Sequence, residues 1–242
     1  PVASPSDCES HPLSGSERTF NEKGPFGRKG SIVGNNCYAY AFGDLEKGRL
    51  YKSVPGERSG KKWGNHPYTH CRGVTKRVLS DNPKTVYRCK DANKACKRGY
   101  YKVMLFVAPA RPSDWIKQGD FHWYRQDKAC KYKMKEGDTT TSIARFFKVS
   151  PEKIKAALRR ARLRTPMKGR VITFPCNMWS HKRGWATGPL YVDAKGAVIK
   201  DPRKASRAYE SLDYKTYCDS FCVKRTGVKV GHTHPKVLKK SV

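Results

Sequence analysis

The sequence predicts an α+β fold: a small sheet with one early helix and long decorations. Three stretches carry that expectation. Tyr100 to Ala108 is almost continuously apolar and stops before Pro109, the pattern of a central strand buried on both faces. Asn35-Asn36-Cys37-Tyr38-Ala39-Tyr40-Ala41-Phe42 reads as a turn opening a short apolar helix. Tyr132 to Pro175 reads as strand, helix, helix, strand in the middle of the chain.

The elements follow in order. Residues 1–34 are rich in Gly, Pro and Ser, lack periodicity, and read as an N-terminal extended arm. Residues 44–100 are polar, basic and loop-rich. Asp120 to Arg125 alternates in polarity and is the expected neighbour of the central strand. Leu190 to Asp193 and Val198-Ile199 flank a hairpin turn at Ala194-Lys195-Gly196-Ala197. Residues 223–242 read as a basic C-terminal arm. The core is therefore expected from 35–127 and 178–222, with 130–176 inserted. Removing 128–177 joins Phe121–Asp127 to Met178–Lys182 as two strands about a turn, which is tolerable where the ends of the insertion lie close together.

Within the insertion, Tyr132-Lys133-Met134 is the opening strand and Glu136 to Thr139 a turn. Thr139 or Asp138 caps a helix over 140–147, whose Ile143, Ala144 and Phe147 share one face. Ser150 caps a second helix that has Pro151 at its first position, with Ile154, Ala157, Leu158 and Ala161 as its apolar stripe. Val171 to Pro175 closes the unit. Cys130 and Cys176 bracket it, and its terminal strands are expected to pair. A disulfide there would contribute roughly 3–4 kcal/mol in the chain-entropy account.

The 242 residues carry 51 Lys+Arg against 20 Asp+Glu, a net charge of +31, which draws the protein to polyanions: nucleic acid, anionic glycans, acidic proteins or lipid headgroups. Hydrophobic residues at 37% are enough for a packed core. No run approaches the ~18 apolar residues of a membrane span, so none is expected. Pro1 to Cys8 has no apolar region, so no uncleaved signal peptide is expected. Nine cysteines point to an oxidised protein, extracellular or on a particle surface, and the odd count leaves one thiol over.

The inserted residues Tyr132, Met134, Gly137-Asp138-Thr139, Ile143-Ala144, Phe146 or Phe147, Val149-Ser150, Gly169 and Ile172 to Pro175 resemble a LysM domain. Thr140 departs from the family's usual Leu, and the Asn common at the end of helix two is absent. The resemblance implies binding of N-acetylglucosamine polymers through Gly137, Asp138, Thr139 and Thr140 together with Arg164, Thr165, Pro166 and Met167. The module carries twelve Lys/Arg against three acids.

The outer segments Asn36 to Ala41, His122 to Arg125, Trp179 to Lys182, Asp193 to Gly196, Ile199 to Pro202 and Tyr217 to Cys222 are similar to a little-characterised family of bacterial, phage and large-virus proteins with a papain-like or NlpC/P60-like core. That resemblance implies a cysteine at a helix start and a histidine on a sheet strand. Cys37 is then the candidate nucleophile, because a helix N-terminus favours the thiolate. His122 is the first candidate base, His181 the second, and Asp193 or Asp201 the candidate orienting group. Cys218, Cys222, His232 and His234 have spacings compatible with zinc, but disulfides compete for the cysteines. No metal and no cofactor is expected.

Two functions remain open. The first is a structural protein, a basic minor capsid or cement component of a large DNA virus, whose arms reach neighbouring capsid proteins and whose module is of glycan-binding type. The alternative is a cell-wall-directed cysteine hydrolase, held to its substrate by the same module. Nucleic-acid binding is a third option supported by charge and aromatic content alone.

Overall fold

A computed structural model describes residues 11–45, 53–61, 70–109, 119–209 and 212–231. The elements are β1 (Arg18–Asn21), a 3-10 turn (Pro25–Gly27), α1 (Lys29–Ile32), α2 (Cys37–Phe42), α3 (Cys71–Asp81), β2 (Val86–Cys89), β3 (Tyr100–Ala108) and β4 (Asp120–Lys133). Then come α4 (Thr140–Phe147), α5 (Pro151–Arg160), β5 (Val171–Lys182), β6 (Pro189–Leu190), β7 (Ala208–Tyr209), β8 (Leu212–Asp213) and β9 (Thr216–Lys224). The architecture is α+β. An antiparallel run β2-β9-β3-β4-β5-β6 forms the main sheet, β1 joins β4 in parallel, and β7-β8 is a separate hairpin.

Strand β3 is apolar throughout because both of its faces are covered. Val103, Leu105 and Val107 pack with Trp123 and Phe221 against Tyr38, Phe42, Val74 and Val78 of α2 and α3. Met104, Phe106 and Ala108 pack with Tyr124, Trp179, Ile199 and Tyr214 on the other side. Each large side chain so buried contributes about 1.5–3 kcal/mol. The neighbouring strand is β4, with Leu105 opposite Trp123 and Phe106 opposite His122.

Helix α3 lies in the stretch expected to be loop-rich. Its apolar core contacts are few, Val74 and Val78 at i,i+4, and a disulfide from Cys71 to Cys218 ties its first turn to β9. A second bond, Cys96–Cys222, anchors the loop before β3 to the same strand.

The middle of the chain does fold as strand, helix, helix, strand. Thr139 caps α4 in a reciprocal box with Ser142, the backbone N–H of each bonding the other's hydroxyl at 2.8–2.9 Å. Ser150 occupies the cap of α5 without a side-chain bond, and Pro151 supplies the pre-set first turn. Ile143, Ala144, Phe147, Ile154, Ala157 and Leu158 pack on Ile172 and Phe174. The module is not hung on linkers, because β4 and β5 continue from the main sheet into it and pair from Tyr124↔His181 out to Lys133↔Val171, with one register shift between Asp127 and Ala129. Cys130 and Cys176 are bonded, their Cα atoms 5.7 Å apart. Near the junction Arg125 pairs with Asp127 at 3.0 Å, and Tyr40 and Ser180 complete a buried hydrogen-bonded network.

Both arms need correction. Residues 11–34 do not extend away from the sheet. Strand β3 pairs with β4 only as far as Arg125, and β1 takes over that edge from Asp127 to Lys131. This places Phe20, 1% exposed, inside the module's core. Ahead of it, the Glu17 carboxylate accepts the N–H groups of Ser14 and Gly15 and the Ser14 hydroxyl. At the other end, Val223 belongs to β9, and Val228 and Val230 are buried. Asp44 receives the Lys229 ammonium and the Val230 N–H, both at 2.9 Å. Residues 1–10 and 232–242 lie outside the described residues.

Candidate active site

Cys37 is the first residue of α2. Its position is fixed by Asn36, whose Oδ1 accepts the Ala39 N–H at 3.1 Å and whose Nδ2 donates to the Ser53 carbonyl at 2.8 Å. The helix stops after one and a half turns at Gly43, which has φ +70°. That left-handed φ favours glycine, and a Cβ there would also lie 2.5 Å from the Arg18 guanidinium and push it aside. Cys37 is buried, and its thiol points to the Phe121 carbonyl at 3.7 Å.

Strands β4 and β5 bring the two histidines together. The ladder reaches Tyr124↔His181, and the chain then turns off through Arg183 to Ala186. The position beside Asp120–His122 that β5 would have filled is a cavity of about 200 Å³. Cys37 lines it from the α2 side of the sheet and His122 and Tyr214 from the other, with Trp185, Tyr209 and Leu212 completing an apolar wall.

His122 Nε2 lies 2.8 Å from His181 Nδ1, and His181 Nε2 lies 2.9 Å from the Val192 carbonyl. A carbonyl only accepts, so His181 carries its proton on Nε2 and presents a lone pair at Nδ1. His122 must then donate from Nε2, which makes its Nδ1 the basic nitrogen. Burial pushes His181 down to about 4, so it stays neutral and keeps this role at physiological pH. Tyr214 packs its ring 4.9 Å from His122 and donates its hydroxyl to Asp120 at 2.9 Å, and burial raises its phenol far above the usual range.

It is His181, and neither Asp193 nor Asp201, that bonds His122. Asp193 instead organises the hairpin, accepting the N–H groups of Lys195, Ala197 and Ser206 at 2.9–3.0 Å. Asp201 binds Arg203 and His11. Lys182, one residue after His181, is fully buried, and burial pushes it down to about 8. Its ammonium donates to the carbonyls of Ile32 and Gly184 at 2.6 Å each, which ties the segment before Asn36 to the cavity rim. Neither the role of His181 nor the aromatic wall was anticipated. Both depend on strand register, which the sequence signals only through its two His-bearing strands.

The glycan candidates form a separate group, and none of them lines the cavity. Gly137 has φ +76° in the turn before α4. Met134 exchanges backbone bonds with Gly169 and Arg170 at 2.9 Å, and Glu136 pairs with Lys168 at 2.9 Å, so residues flanking the two candidate loops meet. Asp138 braces the first loop by accepting from the Tyr132 hydroxyl and the Lys135 N–H. Gly137, Thr139, Arg164, Thr165 and Met167 are exposed.

The zinc alternative loses its cysteines, since Cys218 and Cys222 are both in disulfides, and His232 and His234 lie outside the described residues. Among the described residues no group of three or more His, Cys, Asp or Glu side chains is placed to hold a metal ion. Cys37 and Cys89 are the free thiols there, and Cys8 lies outside them. No described helix is long and apolar enough to cross a membrane. Compared with known proteins, the chain matches no family model, no curated protein and no solved structure.

Proposed function

We propose that the protein is a cysteine-dependent amide hydrolase acting in an oxidising, extracellular setting, with a LysM-like module that holds an N-acetylglucosamine-containing polymer near the site. The observation that carries this is that His122, which lines one cavity with Cys37, is bonded from behind to His181 at 2.8 Å with the donor direction set by Val192. In the reaction the Cys37 sulfur attacks the substrate carbonyl and its proton passes to His122 Nδ1. The imidazolium so formed keeps its Nε2–H on His181 Nδ1. Collapse of the tetrahedral adduct expels the amine, which takes the proton from His122. Water, deprotonated by the same nitrogen, then cleaves the thioester and releases the acid.

The three disulfides favour an oxidising location. Exposed residues in both candidate loops support the glycan role, and the residues flanking those loops meet through Met134–Gly169 and Glu136–Lys168. The second reading, a basic component of a large-virus particle, keeps its support in the net charge of +31. It loses the described parts of the expected arms, because residues 11–34 and 223–231 are packed into the body.

Incubation of the full chain with purified peptidoglycan, followed by mass spectrometry of released peptides, tests the proposal. Release is expected from the wild type and from Cys89→Ser, and not from Cys37→Ala. No release from the wild type counts for the particle component, and release that persists in Cys37→Ala overturns Cys37 as the nucleophile.

A further inference from the structure

We propose that Arg183 selects an acyl substrate bearing a carboxylate and seats that carboxylate at the rim of the Cys37 cavity; this rests on the hydrolase reading above. Two charged side chains line the cavity among the described residues, Asp120 and Arg183. Asp120 is committed, with one oxygen accepting the Phe121 N–H at 2.8 Å and the other the Tyr214 hydroxyl at 2.9 Å. Arg183 is exposed, and its guanidinium carbon lies 4.5 Å from the centroid of the Tyr209 ring. Among the described residues it makes no ion pair and no side-chain hydrogen bond.

The ring contact fixes the guanidinium at the wall without using its N–H donors. A guanidinium held in this way loses less freedom on binding and offers a planar fork that matches a carboxylate. The aromatic wall of Trp185, Tyr209 and Tyr214 lowers the local dielectric and strengthens the pairing. Asp120 keeps its charge but its oxygens are turned to Phe121 N–H and the Tyr214 hydroxyl, which leaves the Arg183 fork as the open charged group at the rim, and the overall charge of +31 favours an anion at long range.

Iodoacetate and iodoacetamide provide the test, because each alkylates sulfur with loss of iodide and they differ by a carboxylate against an amide. The oxidised full chain is treated with each at about 0.15 M salt, and labelling is read at the Cys37 and Cys89 peptides separately. Cys89 serves as the internal reference for the general field of the protein. The iodoacetate-to-iodoacetamide rate ratio is expected to be about tenfold higher at Cys37 than at Cys89. Arg183→Gln should bring it down to the Cys89 value, while Lys155→Gln, a remote cation on α5, should leave it unchanged. The iodoacetamide rate at Cys37 should survive Arg183→Gln and so reports an intact site. Equal ratios at the two cysteines, or a ratio insensitive to Arg183→Gln, overturn the carboxylate assignment and leave the hydrolase standing. If iodoacetamide reacts with Cys37 no faster than with Cys89, the hydrolase reading falls and the assignment falls with it.

Discussion

His181 gives its Nδ1 lone pair to His122 Nε2 at 2.8 Å, and its own proton is spent on the Val192 carbonyl at 2.9 Å. One backbone carbonyl in the loop after β6 thus sets the tautomer of a histidine on β4. In the proposed hydrolase a neutral imidazole takes the place of a carboxylate behind the base, without adding a negative charge beside the cavity.

His181 should make stability depend on pH. An unperturbed histidine titrates near 6.5, and burial holds this one at about 4. Between those values the unfolded chain binds a proton that the folded chain does not, so stability rises with pH. The contribution is complete above about pH 6.5 and is lost as pH falls towards about 4, with a ceiling of ~3 kcal/mol. Urea unfolding at about pH 4 and pH 7 measures it. His181→Gln should flatten the difference by that order, and an unchanged difference would show that His181 is solvated.

Phe20→Ala should loosen the inserted module rather than only the N-terminus. The ring is buried among Cys130, Met178 and the helices' apolar face, so its removal should cost about 3–5 kcal/mol. Hydrogen exchange should accelerate across α4 and α5. Acceleration confined to β1 would make the N-terminal strand a peripheral strap.

Much of this fold was legible because local pattern and tertiary demand agree. The unbroken apolar run of β3 belongs to a strand covered on both faces, and Thr139, Ser150 and Pro151 mark helix starts by local chemistry. The Cys130–Cys176 bond followed from two strand ends that had to meet. The rest rests on non-local contacts. Phe20 is one aromatic residue in a Gly- and Ser-rich stretch, and its importance comes from a vacant edge on β4 more than a hundred residues away. Helix α3 shows the core little beyond two valines, and its bond to Cys218 spans 147 residues, a pairing that spacing cannot assign. Asp193 had the right chemistry for an orienting group but sits at a turn, where three N–H groups claim it.

On the proposed glycan role, the loops at Gly137–Thr140 and Arg164–Met167 should recognise sugar rather than charge. Retention of the full chain on chitin or peptidoglycan should persist at about 0.5 M salt, where the Debye length falls to roughly 4–5 Å. Met167→Asp, in the exposed second loop, should weaken retention. Binding that disappears with salt and is indifferent to Met167→Asp would reduce the module to a basic surface.

The most direct test of the central claim is the rate at which iodoacetamide alkylates Cys37 at about pH 6, in the wild type and in His122→Ala. An ordinary thiol is almost fully protonated there and reacts slowly. With His122 Nδ1 as the acceptor for the Cys37 proton, Cys37 should react about 100-fold faster than Cys89, and His122→Ala should remove that advantage. Equal rates at Cys37 and Cys89, or a Cys37 rate untouched by His122→Ala, would contradict the assignment of Cys37 and His122 as nucleophile and base.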